Sequence, residues 1–231
     1  MHDAVTSESQ AVTVRRRQLA PNEIGQYRYA TYRLFSNCVT QLPAGDLLQR
    51  FSARGSARPL HALMSGDLKS PGWFPPSEAA RLSAEYAALF LLPGARQTRP
   101  YETCYRELQG GAGQRRPEPR LGLVAIDVQR AYVEYGMPSV VGVDESPDHA
   151  GVELRFMANL VRAEARFRQS GDRAAADKAV RGEREFLSRH ILCWFPDWLG
   201  CVRECARMPF YHRFGVLLSC FLTTERVVLG L

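Results

Sequence analysis

Long apolar runs are missing from this sequence. Its most apolar segment, residues 214–222, is much shorter than the roughly 20 residues that a membrane-spanning helix needs, and Glu225 and Arg226 follow it. Near the N-terminus, the run Arg15-Arg16-Arg17 precedes Gln18 and other polar residues, where an export signal would carry an apolar stretch. We therefore expect no export signal, no stable insertion into a membrane, and a cytoplasmic location.

Motifs for catalysis and for metal binding are also scarce. There is no Gly-x-Ser-x-Gly nucleophile motif, and no Gly-Lys-Ser/Thr follows the glycines at 110–113, which indicates a linker there. His190, Cys193, Cys201 and Cys205 are possible zinc ligands, but they form no C-x-x-C pair and apolar residues crowd between them. We interpret them as core residues and expect no cofactor, no metal and no catalysis; a zinc-dependent hydrolase is the alternative.

Charge and cysteine content point to an ordinary reduced protein. The 231 residues include 45% hydrophobic and 23% charged residues, typical of a globular chain, and the six cysteines lack the short, loop-rich context of a disulfide scaffold. The net charge of +6 suggests nucleic acid as a partner, but the cations cluster only at 15–17 and 115–116. We expect no nucleic-acid binding; a helical adaptor or regulatory protein that uses its basic arm on nucleic acid or protein is the alternative.

Apolar residues recur with a spacing near 3.6 along most of the chain, which predicts an all-α fold, a single bundle of about eight or nine helices. Residues 1–20 are predicted to form a flexible basic tail, and residues 21–231 one helical domain with a long loop at about 93–119. A short apolar segment at 140–143 has no partner strand and is interpreted as a loop. The predicted helices begin or lie near 22–38, 46–53, 60–64, 77–92, 121–135, 146–171, 173–192, 196–207 and 209–228.

Several carboxylates are predicted to gather near the start of one helix. Ser146-Pro147 has the pattern of an N-cap and a first helical residue, which places Asp148 favourably against the helix dipole. Such acids could perform acid/base chemistry, could receive arginines in bidentate hydrogen bonds, or could simply be exposed residues of a first turn. The acidic residues concerned are Glu102, Asp144, Glu145, Asp148 and Glu153.

The order of several segments resembles the TorD/DmsD family of redox-enzyme maturation chaperones. The first group is Leu89-Phe90 with Pro93, Pro100-Tyr101-Glu102 with Tyr105, and Pro147-Asp148-His149 before the segment 153–157. The second group is Phe186-Leu187, His190, Trp194 and Pro196, followed by Pro209-Phe210-Tyr211. The similarity covers about residues 23–222, and it is dense in motifs between Leu89 and Tyr211.

This resemblance implies a non-catalytic cytoplasmic chaperone. Its partner would be the precursor of a molybdopterin-containing oxidoreductase, whose twin-arginine signal peptide it binds while the cofactor is inserted and before export. Proteins of molybdenum-cofactor biosynthesis are candidate further partners. The protein is expected to be either a monomer or a dimer that exchanges helices across the long loop.

The resemblance also implies a signal-peptide site. The matching positions in this sequence are Leu89, Phe90, Pro100, Tyr101, Tyr105, Asp148 and His149. Physical reasoning agrees, because two guanidinium groups beside an apolar stretch require carboxylates next to an apolar, aromatic surface. His149 is predicted in a first helical turn, where it either acts as a hydrogen-bonding or pH-sensitive group or merely fixes the turn.

Overall fold

The computed structural model describes residues 21–42, 79–106, 122–137 and 145–231. Within these ranges the fold is all-α, as predicted, and its only extended pairing is an isolated antiparallel bridge between Tyr101 and His149. None of the helices in these ranges is both long enough and apolar enough to span a membrane. The helices are α1 (Pro21–Thr40), α2 (Ala79–Tyr86), α3 (Glu102–Arg106), α4 (Leu123–Glu134), α5 (Ala150–Ser170), α6 (Arg173–Phe186), α7 (Phe195–Cys205) and α8 (Pro209–Leu229).

Two π-helical turns widen the helices that precede them. Ala87–Leu91 continues α2, and Leu187–Ile191 continues α6. A π-helical turn closes its backbone hydrogen bonds between residues five apart, where an α-helix closes them between residues four apart. This extra residue per turn changes which side chains face the core. The continuous helices predicted at 77–92 and 173–192 are therefore each divided into an α-helix and a π-helical turn.

The start of α5 packs closely against α1 through Gly151. The hydroxyl of Ser36 donates a hydrogen bond to the carbonyl oxygen of Gly151 at 2.6 Å. A Cβ atom at Gly151 would lie 2.2 Å from Cγ2 of Thr40 and 3.1 Å from the carbonyl oxygen of Ser36. The absence of a side chain at Gly151 is thus what allows the two helices to approach at this level.

Aromatic rings connect the long helices in the core. Tyr32 and Phe35 of α1 meet Phe221 and Phe214 of α8 with ring centroids 4.8 and 5.6 Å apart. The edge-to-face geometry of both pairs adds a specific attraction to the burial of their large apolar surfaces. These ring contacts join α1 and α8, the first and last helices described. On another side, α1 packs along α5.

A buried arginine holds four helices together. Arg28 of α1 donates to both carboxylate oxygens of Glu225 in α8, at 2.8 and 3.0 Å from Nε, and it also pairs with Glu183 of α6 and with Glu164 of α5. Three carboxylates face this single guanidinium group. Burial raises the pKa of Glu183 to about 8 in spite of Arg28, so this carboxyl group holds its proton at neutral pH.

Some predicted boundaries differ from the structure. Asn22 lies inside the first turn of α1 because the helix begins at Pro21, and α5 begins at Ala150, with His149 rather than Ser146 as its N-cap. The predicted long loop contains α3, and Asp148 stabilises its first turn by accepting a hydrogen bond from the amide of Thr103. The predictions for residues 1–20, 46–53, 60–64 and 140–143 lie outside the described residues.

Candidate functional site

Two segments that are distant in the sequence meet at the bridge between Tyr101 and His149. The amide of the first residue of α5 donates to the carbonyl of Pro100 at 2.8 Å, and the amide of the first residue of α3 donates to the carbonyl of Asp148 at 2.9 Å. The rings of Tyr101 and His149 lie edge to face, with centroids 5.1 Å apart. The structure therefore brings together the central residues of the site that the resemblance implies.

The carboxylate of Asp148 connects these two segments. It accepts hydrogen bonds from the amide of Thr103 at 3.2 Å, from the hydroxyl of Thr103 at 2.5 Å and from the hydroxyl of Ser146 at 2.5 Å. Asp148 is 3% exposed and precedes α5, so the alternative of an exposed acid in a first helical turn does not hold for it. Asp148 therefore fixes the turn before α5 against the first turn of α3.

His149 is the N-cap of α5 and not a residue of its first turn. Its Nδ1 atom accepts the amide hydrogen of Gly151 at 3.1 Å, and its Nε2 atom lies 3.8 Å from the carboxylate of Glu145. Burial lowers the pKa of His149 to about 4, although the neighbouring Asp148 acts in the opposite direction. The imidazole is therefore neutral at pH 7, in keeping with its role as a hydrogen-bond acceptor at Nδ1.

Leu89 and Phe90 lie in the first π-helical turn and point into the core. Both are buried, and the ring of Phe90 lies 5.3 Å from that of Tyr211. The next two residues differ, since Leu91 and Leu92 are 55% and 59% exposed. The exposed apolar surface at the end of this π-helical turn is thus formed by Leu91 and Leu92, and not by the predicted residues Leu89 and Phe90.

Thr98 links this turn to Tyr105. Its amide and its hydroxyl donate to the carbonyl of Leu89 at 2.8 and 3.1 Å, while its own carbonyl accepts a hydrogen bond from the hydroxyl of Tyr105. Tyr105 is buried and stacks on Trp194 with ring centroids 5.5 Å apart. Sequence reasoning did not identify Thr98, because a single threonine in a loop carries no pattern that predicts such a connection.

Below the bridge lies a buried carboxylate, Glu102. One oxygen pairs with Arg106 at 2.9 Å and the other lies 3.1 Å from Nδ1 of His190, which belongs to the second π-helical turn. The thiol of Cys193 is 3.6 Å from the same side chain. Glu102 is fully buried, so it stabilises the base of the site and does not face solvent.

A second carboxyl group, Glu153, lies in the same interior region. One oxygen accepts a hydrogen bond from the indole of Trp194 at 3.2 Å, whereas the other has no hydrogen-bond partner in the structure. Complete burial and the proximity of Glu102 raise its pKa well above the usual range. Burial therefore favours the neutral form of Glu153. Both Glu102 and Glu153 are buried, so the alternative that these acids are exposed residues of a first turn does not hold for either.

The accessible part of the site is smaller than the predicted set of residues. Leu89, Phe90, Pro100, Tyr105, Asp148 and His149 are buried, and Tyr101 is partly exposed. Around it lie Glu145, which is 31% exposed, and Arg99, whose φ of 41° is unusual for a residue with a side chain. Six of the predicted residues thus shape the site from beneath, and Tyr101 reaches its surface.

The predicted alternative of a zinc site has no support in the described residues. His190 is engaged with Glu102, and the thiol of Cys193 donates to the carbonyl oxygens of Arg189 and His190, both at 3.2 Å. Within the described ranges, no group of three or more His, Cys, Asp or Glu side chains could hold a metal ion. The basic run at 15–17, the pair at 115–116 and Asp144 lie outside these ranges.

Comparisons with known proteins give a consistent picture. The family model described as nitrate reductase delta subunit matches residues 60–199. The chaperone protein TorD of Aeromonas salmonicida (strain A449) is 33% identical over 156 residues, which are 66% of this chain and 63% of that protein. The chlorate reductase assembly chaperone protein of Ideonella dechloratans is 32% identical over 151 residues, or 64% of this chain and 70% of that protein.

A further relative, the selenate reductase assembly chaperone protein of Thauera selenatis, is 32% identical over 150 residues, or 64% of this chain and 70% of that protein. The names of these relatives are those of chaperones, in agreement with the prediction that the chain is not an enzyme. The match spans 63% of the length of the Aeromonas protein and so covers only part of that relative. The family-model match takes in more than half of the chain, which therefore belongs to the nitrate reductase delta subunit family and confirms the resemblance to the TorD-type chaperones.

Proposed function

We propose that this protein is a cytoplasmic chaperone that binds the twin-arginine signal peptide of a molybdopterin-containing oxidoreductase precursor. It would hold the precursor back from export until the cofactor has been inserted. The names of the relatives support the assembly role, since they refer to chaperones of chlorate and selenate reductases. Proteins that make the molybdenum cofactor are candidate further partners, and residues 1–20 are proposed to be a tail outside the binding domain.

The observation that carries this proposal is the bridge between Tyr101 and His149. Both residues match positions of the family's signal-peptide surface, and the structure places their rings 5.1 Å apart. The bridge also fixes Asp148, whose carbonyl accepts the first amide of α3. The bridge therefore joins two segments of the first group of family-matched motifs, Pro100-Tyr101-Glu102 and Pro147-Asp148-His149.

The surface of the site suits a peptide with arginines beside an apolar stretch. The partly exposed ring of Tyr101 offers a face on which a guanidinium plane can stack, and Glu145 supplies a carboxylate nearby. Leu91 and Leu92 give the exposed apolar surface next to Phe90. Asp148 is proposed to act as a positioning residue, because two of its three hydrogen bonds hold Thr103 in the segment that carries Tyr101.

The proposal is tested by titrating a synthetic twin-arginine signal peptide and a version with two lysines in place of the arginines. Lysine cannot form the planar, bidentate contacts of arginine, so we expect the lysine peptide to bind about tenfold more weakly. Tyr101→Ala should weaken binding of the arginine peptide about fivefold and should leave the lysine peptide less affected. Equal affinity of both peptides for the wild-type protein would contradict the proposal.

Two controls make the result specific. Tyr29→Ala removes a partly exposed tyrosine of α1 that contacts Arg162, and we expect it to leave peptide binding unchanged. Deletion of residues 1–20 should likewise leave peptide binding intact. Loss of binding after that deletion would instead favour a protein that acts through its basic arm.

A further inference from the structure

Helix α4 is apolar on two opposite sides. Its inner side carries Val128 and Tyr132, both buried in the core. Its outer side carries Leu123, Ile126 and Val133, which are 57%, 49% and 58% exposed. A helix with two apolar sides is normally covered on both, so the outer side has the composition of a contact surface.

A groove of about 560 Å³ lies along this outer side, within the size range of natural ligand sites. Its walls are small or apolar for most of its length, which leaves room for the side chains of an incoming segment. We call it the outer groove. The residues that form its walls are Gly122, Ala125, Ile126, Gln129, Arg130, Val133, Glu134 and Pro147.

The outer groove reaches the segment that carries the bridge. Pro147 forms part of its wall and directly precedes Asp148 and His149. The hydroxyl of Tyr132 donates to the carbonyl of Pro147 at 2.7 Å, which fixes the turn against α4. Because His149 lies two residues after Pro147 and contacts Tyr101, one end of the outer groove lies close to the bridge.

The charges at the groove match a segment with a cationic end and an apolar remainder. Glu134 lines the groove at the C-terminal end of α4, where the unpaired carbonyls of the helix add negative partial charge. Glu145 lies two residues before Pro147 and extends the acidic region. Arg130 also lines the groove, one helical turn before Glu134, and its positive charge offsets part of this negative charge. Beyond it the walls carry no charge.

We infer that the outer groove binds the apolar segment of the client's leader peptide, with the preceding arginines held at the acidic end near Pro147. This inference rests on the proposed function and adds a second contact region to it. The protein's own basic run at 15–17 is a poor occupant, because polar Gln18 and Asn22 follow it within seven residues and no apolar stretch intervenes. A leader peptide has both required parts in one short chain.

The test uses two twin-arginine peptides, one with its natural apolar stretch and one with that stretch replaced by serine and glycine. Ile126→Glu places a charge in the outer groove at an exposed position, so the fold should tolerate it. We expect this variant to bind the natural peptide at least about tenfold more weakly than the wild type. The serine/glycine peptide should bind the variant and the wild type equally. Val227→Glu, at a position that is 75% exposed and remote in sequence, is the matched control and should bind both peptides like the wild type.

The possible outcomes separate the two proposals. If the wild type binds neither peptide, the proposed function itself fails. If the wild type binds the natural peptide and Ile126→Glu binds it equally well, the outer groove is not its binding surface and the inference is overturned while the function stands. A change in the mass of the particle in solution caused by Ile126→Glu, without a change in peptide affinity, would assign the groove to contacts between copies of the chain and would also overturn it.

Discussion

At the scale of single residues, the site is built by polar side chains that are buried rather than exposed. Asp148 ties the turn before α5 to the first turn of α3, and His149 caps α5 through a neutral imidazole. Glu102 occupies the layer below and contacts His190. These groups have little contact with solvent, so in the proposed function they act on the peptide through the position of Tyr101.

Asp148→Ala should therefore affect both stability and binding. The change leaves three hydrogen-bond donors without their acceptor, two of them on Thr103, and should lower the free energy of unfolding by about 1–3 kcal/mol. Urea unfolding measures this loss. Affinity for a twin-arginine peptide should also fall, because the segment that carries Tyr101 is no longer fixed.

Asp172→Ala is the matched control for Asp148→Ala. Asp172 caps α6 by accepting the amide of Ala175 at 3.0 Å, and it is exposed. Its loss should cost about 1 kcal/mol and should not change peptide affinity. A similar decrease of affinity in both variants would show that general destabilisation, and not the site, is responsible.

Glu183 gives the protein a predictable dependence on pH. Its pKa is about 8 in the folded state and near its ordinary value of 4.5 in the unfolded state, so between these values the folded state binds more protons. Stability from this group is complete below about pH 4.5 and is lost as the pH rises towards 8. Glu183→Gln mimics the protonated form beside Arg28 and should flatten this decline.

Urea unfolding of the wild type and Glu183→Gln at several pH values between 5 and 8.5 measures the effect, and the two curves should diverge steadily up to the pKa of about 8 and run parallel above it. All other titrating groups are the same in the two proteins. The difference between their free energies of unfolding therefore reports Glu183 alone. Parallel curves across this range would show that Glu183 is ionised in the folded protein.

At the scale of helices, close packing between α1 and α5 depends on Gly151. Gly151→Ala would place a methyl group 2.2 Å from Thr40 and 3.0 Å from Val39, so the helices must separate. We expect a loss of about 1–3 kcal/mol in the free energy of unfolding. Gly94→Ala is the control, because nothing lies within 4 Å of the added group and the change should be nearly neutral. Equal stability of both variants would contradict the packing described for α1 and α5.

The sequence predicts helices better than it predicts the details that build the site. The start of α8 at Pro209 and the end of α5 at Gly171, whose φ is 80°, follow from proline and glycine chemistry that is visible in the sequence. The π-helical turns are not visible, because an extra residue per turn is selected by tertiary packing around Leu89 and His190. For the same reason the sequence could not show which polar residues are buried.

The predicted site illustrates this limit. Similarity in the order of segments indicated Tyr101 and His149 together, and the structure places them in contact. Exposure was one of the alternatives for Asp148 in an expected first turn, but the helix begins at Ala150, three residues after the expected start at Pro147, and Asp148 is buried before it. Glu85 was not identified at all, although it binds Arg96 and the amides before α8. Its partners are too distant in the sequence to form a recognisable pattern.

At the scale of the whole molecule, the net charge of +6 opposes the approach of a basic peptide. Salt screens this repulsion, so the association rate constant should rise modestly between about 0.05 and 0.3 M ionic strength. The dissociation rate constant should rise as well, because local contacts of guanidinium groups weaken. Stopped-flow fluorescence measures both constants. An association rate that falls with salt would indicate that a local acidic surface, and not the net charge, guides the peptide.

Hydrogen–deuterium exchange of the full chain, with and without a twin-arginine leader peptide, tests the central claim most directly. Bound peptide should slow exchange in residues 98–106 and 145–150, where the bridge joins Tyr101 to His149, and the lysine version at the same concentration should protect them less. Tight binding without added protection in either segment would contradict the claim that this site receives the leader.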